Sequence, residues 1–70
     1  MNATVESIYG YRVTEHSRYK GATIYKAAGI SKWFAAYHDI SGYVKIIENG
    51  SLADLRIDIN YLNDKGVVVR

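Results

Sequence analysis

GATIYKAAGISKWFAAYH, residues 21–38, is the stretch on which the fold turns. Its apolar residues fall at helical spacing in two sets: Ile24, Ala27 and Ala28 before Gly29, then Ile30, Trp33, Phe34 and Tyr37 after it. The two stripes are offset, which marks either two short helices or one broken helix. Gly29 suits the left-handed position that ends a helix. Ser31 suits the cap of the next, where its hydroxyl accepts from an early backbone N–H. The spacing therefore predicts helical structure over residues 22–40.

Upstream, Val5, Ser7, Tyr9, Tyr11 and Val13 share one parity while Glu6, Arg12 and Thr14 hold the other, the pattern of a half-buried strand over residues 4–14. Ile8 breaks the alternation, and Gly10 suggests a bulge or a close backbone approach. Downstream of Gly42, YVKIIE reads as a strand, and Asn49-Gly50 tolerates the positive φ angles of a type I′ hairpin turn. Leu55, Ile57, Ile59 and Tyr61 then alternate with Arg56, Asp58 and Asn60 as a returning strand. A helix begun at Ser51, with Asp54 three residues on, aligns Leu52, Leu55, Ile59 and Leu62. It takes second place because Ile, Asp and Asn are weak helix formers. Asn63, Asp64, Lys65 and Gly66 make the next turn, into Val67, Val68 and Val69. The expected architecture is a single compact α+β domain over residues 1–70: an N-terminal strand, one broken helix or two short helices, then a three-stranded antiparallel meander with the helices on one face.

Seventy residues leave room for one domain with a thin core, which excludes a large enzyme. A 49% hydrophobic and 23% charged composition is that of a folded domain rather than a disordered tail. The absence of cysteine removes disulfides, thiolate metal sites and thiol nucleophiles, and places the chain in a reducing cytoplasm. No apolar run approaches the roughly 20 residues that cross a bilayer, and the N-terminus lacks the pattern of a signal peptide, so no membrane association is expected. The net charge of +2 is unevenly spread. Through residue 35, Arg12, Arg18, Lys20, Lys26 and Lys32 stand against only Glu6 and Glu15, whereas the remainder is slightly acidic.

Catalytic chemistry finds little footing. Glu15, His16 and Ser17 resemble a triad in one-letter code, but neighbours on an extended chain point to opposite faces. Two histidines without metal-ligand spacing offer no metal site, and isolated glycines make no phosphate loop, so no catalytic residue, metal or cofactor is expected.

Ala28, Gly29, Ile30 and Ser31 resemble the turn of the helix-turn-helix in phage and bacterial repressors. In outline the likeness extends to Cro-type repressors, which place a strand before the helices and a hairpin after them. It implies a DNA-binding transcriptional regulator using residues 21–40, with Ser31, Lys32, Trp33 and Tyr37 on the recognition helix. Tyr25 and His38 depart from the small and aliphatic residues that family carries at those places.

Seven tyrosines are more than a thin core can hide, and tyrosine is favoured at interfaces for its large, rigid contact area. Periodicity assigns Tyr9, Tyr11, Tyr37 and Tyr61 to the core and leaves Tyr19, Tyr25 and Tyr43 for a partner. With the front-loaded charge, this nominates a basic and aromatic surface of Arg12, Arg18, Tyr19, Lys20, Tyr25, Lys26, Lys32 and Trp33. The leading functional expectation is a small non-catalytic accessory or inhibitory protein, of the kind phages and mobile elements encode. It would act by occupying a macromolecular partner, a protein or nucleoprotein rather than free DNA. The DNA-binding regulator is the alternative. A homodimer through the valine-rich C-terminal strand is a further expectation.

Overall fold

A computed structural model describes residues 5–66 and 68–69. Residues 22–39 form no helix. The elements in order are β1 (Val5–Ile8), β2 (Tyr11–Tyr19), β3 (Ala22–Ala27), β4 (Trp33–Asp39), β5 (Val44–Asn49), α1 (Leu52–Asp64) and β6 (Val68–Val69). The first five strands pair with their sequence neighbours, all antiparallel, as a curled half-barrel sheet. Two elements of the expected architecture are thus replaced: the broken helix is a pair of strands, and the returning strand after Asn49 is a helix.

The misleading helical pattern of residues 22–38 has a physical cause. β3 and β4 are central strands buried on both faces, so their apolar residues do not alternate. Ala22, Ile24, Ala35 and Tyr37 face α1 in one core cluster, while Tyr25, Ala27 and Phe34 join Ile8 and Val13 in a second cluster on the opposite side. Ile24 and Ala27, three apart in sequence, are therefore buried against different layers. Gly29, at φ +76, serves the connection between β3 and β4 instead of ending a helix. A segment without helix presents no recognition helix, so the resemblance to the repressor motif does not extend to the structure.

The N-terminal segment is likewise two strands. Tyr9 and Gly10 both have positive φ, as a two-residue type I′ turn requires, and Ile8 pairs with Tyr11 across it. This reversal explains the break in alternation: Ile8 is buried while Tyr9 is 68% exposed. Lys20 and Gly21 repeat the device between β2 and β3. The Asn49-Gly50 pair, expected to make such a turn, leads into α1 instead, and Gly50 is not among the positive-φ residues.

α1 takes the capping arrangement that the alternative sequence reading described. Ser51 is extended and its Oγ accepts from the Asp54 backbone N–H at 3.1 Å. Leu55 and Ile59 are fully buried, with Leu52 and Leu62 packed beside them. Tertiary burial of this stripe outweighs the weak helix propensity of Ile, Asp and Asn. A strand would have placed Ile57 and Tyr61 with Leu55 and Ile59, but both are about as exposed as surface residues, at 62% and 60%. After the turn at residues 65–66, β6 pairs with the end of β4, Asp39 opposite Val68 and His38 opposite Val69. The C-terminal strand thus lies beside β4, past the last residue that β3 pairs. Val67 and Arg70 of the expected strand lie outside the described residues.

Candidate functional site

The helix covers one face of the sheet, and on the other face the β1–β2 hairpin helps enclose the second core cluster. Past that cluster the uncovered face opens into a groove of about 240 Å³ lined by Arg18, Thr23, Tyr25, Ala36, His38 and Val44. Strand register assembles it. Arg18 stands opposite Thr23, Thr23 opposite Ala36, and His38 opposite Val44. Directly opposed side chains have Cβ atoms about 5 Å apart and diagonal ones about 7–8 Å, so three polar side chains reach one small volume. At the same end, the β4–β5 loop holds out Ile40 and Tyr43, exposed by 76% and 69%, and β5 opens with Val44, exposed by 59%. Asp39 shapes this loop: its Oδ1 accepts from the Ser41 and Tyr43 amides at 2.9 and 3.0 Å.

A second groove, of about 360 Å³, runs between α1 and β5 and is lined by Ile47, Glu48, Asp58, Tyr61 and Leu62. Its acids are engaged. Lys32 Nζ donates to Glu48 Oε2 at 2.7 Å, and Asn49 Nδ2 donates to Asp58 Oδ2 at 3.0 Å.

The eight residues nominated from sequence are divided between the two faces. Arg18 and Tyr25 line the smaller groove. Lys32 lies 5.5 Å from the Tyr11 ring, whose own neighbour is Phe34 of the second cluster. Tyr19 and Trp33 belong to the helix side. The Tyr19 ring lies 5.6 Å from the Lys20 ammonium and 5.5 Å from the Arg56 guanidinium. Lys26 lies over Trp33 and donates to the carbonyls of Ala27 and Ile30, holding its own loop in place. Arg12 is exposed on β2, and its carbonyl accepts from the Ala28 amide at 2.9 Å.

Tyrosine burial also differs from the expectation. Tyr37 is buried as expected and Tyr25 joins it, while Tyr9, Tyr11 and Tyr61 are exposed. Burial, assisted by the nearby Asp39 carboxylate, raises the Tyr37 hydroxyl above its ordinary pKa. The hydrogen bond to Glu48, joined by its charge, raises that of Lys32 against a smaller opposing effect of desolvation.

His16 and Ser17 meet contrary to expectation, because the strand register shifts between Glu15 and Ser17. His16 Nδ1 lies 2.8 Å from Ser17 Oγ, and the ring stands edge-on to Trp33 at 4.9 Å. This pair is exposed and lies in neither groove. Thr23, His38 and Val44 are groove residues that the sequence reading passed over. Read as strands, residues 22–27 and 33–39 place Thr23 with Tyr25 and His38 with Ala36 by parity, and the register of β3 on β4 then puts both on one face.

No protein-family model, curated protein or solved structure matches this chain. Among the described residues, no helix is long and apolar enough to cross a membrane.

Proposed function

We propose that the chain is a non-catalytic cytoplasmic binding protein that acts by occupying another protein. The observation that carries this reading is the exposed apolar run Ile40, Tyr43 and Val44 beside a groove with polar side chains. An apolar anchor next to oriented polar groups is the usual composition of a protein interface. The placement of the cations favours protein over nucleic acid. Lys32 is paired with Glu48, Lys26 is bound to its own loop, and Lys45 lies 4.0 Å from Asp39, so three of the described cations are engaged within the chain rather than offered to a phosphate backbone. The pairing of β6 with β4 weighs against the homodimer expected through that strand, since it gives one edge of the strand a partner within the chain.

The test is affinity capture with the tagged full chain from lysate of the cells that carry the gene, with and without nuclease. A specific protein should be retained after nuclease treatment and lost with the double variant Ile40→Ser, Tyr43→Ser. Capture that disappears with nuclease, together with duplex binding that weakens steeply with salt, would overturn the reading.

A further inference from the structure

We propose that the groove formed by Arg18, Thr23 and His38 is a carboxylate-binding subsite, built to receive an acidic side chain of the partner protein. The Arg18 guanidinium makes no ion pair with any described residue. Glu15, opposite Tyr25 on the same strand, does not neutralise it. An arginine on a concave surface that pairs with no described residue has its donors free for an acceptor, and its planar fork matches the two oxygens of a carboxylate.

The surroundings supply the rest of the cradle. Thr23, directly across from Arg18, brings a hydroxyl donor, and His38, on the diagonal from Thr23, brings an imidazole N–H in either tautomer. Ala36 and Val44 form an apolar part of the lining. The volume, about 240 Å³, suits one side-chain head group and is below the usual size of a whole small-molecule site. One guanidinium with two further hydrogen-bond donors suits a single carboxylate, whereas a phosphate-rich polymer calls for several cations in series. The exposed Ile40, Tyr43 and Val44 at the same end would hold the apolar residues flanking that acid.

This inference rests on the protein-binding reading above, and a titration separates the two. The uniformly labelled full chain is titrated by NMR with the capped peptide acetyl-Ala-Glu-Glu-Ala-amide, with its Gln-for-Glu counterpart, and with inorganic phosphate. The acidic peptide should shift the amides of Arg18, Thr23 and His38 saturably. The Gln peptide should not, and phosphate should act at least several-fold more weakly. Arg18→Gln should weaken binding about tenfold or more, and Arg18→Lys, which keeps the charge without the fork, by an intermediate factor. Absence of a localised shift, an unchanged response in Arg18→Gln, or tighter binding of phosphate would each overturn the subsite. In the lysate experiment, Arg18→Gln that captures the protein as well as wild type would remove the subsite while leaving the binding reading intact. Loss of nuclease-resistant capture by wild type would remove that reading itself.

Discussion

The Tyr19 hydroxyl donates to Asn60 Oδ1 at 3.1 Å, joining the end of β2 to the middle of α1 across forty-one positions of sequence. Tyr19 therefore works inside the protein as well as at its surface: its ring packs on the helix-side core while its hydroxyl finds a partner on the helix. Tyr19→Phe should lower stability by about 0.5–1.5 kcal/mol, the usual net contribution of one such bond. Urea denaturation of Tyr19→Phe, Asn60→Ala and the double variant measures it. Strictly additive losses would mean that the two groups are not coupled in solution.

Gly10 should be intolerant for a purely conformational reason. Its φ is +84, yet a Cβ there would meet no heavy atom within 4 Å. Gly10→Ala is therefore expected to cost about 1–2 kcal/mol, the strain of holding an L-residue left-handed. Gly50→Ala is the control, because Gly50 has no positive φ and its added Cβ would lie 3.8 Å from the Ser31 carbonyl, an ordinary contact. Equal melting temperatures for the two variants would contradict the assigned turn.

Phe34 is completely buried in the second core cluster, with the Tyr9 and Tyr11 rings 6.1 and 5.9 Å away. Phe34→Ala should cost about 3–5 kcal/mol. Such a loss approaches the whole stability of many small domains, so the variant should lose its cooperative transition. Ile57→Ala, on the exposed side of α1, should stay within about 0.5 kcal/mol of wild type. A cooperatively melting Phe34→Ala protein would place the side chain outside the core.

Stability should fall at alkaline pH. The Lys32 and Tyr37 pKa values are both raised above their ordinary 10.5 and 10.0. A group whose folded pKa is raised contributes fully below its unfolded value, and that contribution is lost as pH climbs through the folded one. The loss should therefore begin near pH 10 and deepen above it. Lys32 is on the surface, so its part should shrink with added salt. Chemical denaturation at pH 8, 10 and 11 should show a smaller decline in Tyr37→Phe than in wild type. An identical decline would exclude Tyr37 as a source.

Several local features could be read before the fold was known. The run YVKIIE, residues 43–48, holds all of β5 but Asn49, residues 63–66 include the turn after the helix, and Ser51 with Asp54, from the second-ranked helical reading, forms the cap of α1. These are short-range effects: a hydroxyl reaching an amide three residues away, or a glycine accepting positive φ, depends little on distant chain. The groove was half legible. Arg18 and Tyr25 stood out by charge and aromatic character, but Thr23 and His38 carry no local signal and become neighbours of Arg18 only through strand register.

By itself the sequence determined the lack of thiol chemistry, most of strand β5 and the turn at residues 65–66, while the helix cap stood only in the second-ranked reading. Tertiary structure decided which of two periodicities each ambiguous segment would obey. Residues 22–38 carry apolar side chains at spacings that suit a helix, and they become strands because layers on both sides bury them. Residues 55–61 alternate like a strand, and they become part of a helix because the face made by Ala22, Ile24, Ala35, Tyr37 and Ile47 receives Leu52, Leu55, Ile59 and Leu62. Local propensities differ by less than about 1 kcal/mol per residue, whereas burying one large apolar side chain contributes about 1.5–3 kcal/mol, so the packing partner chose the conformation.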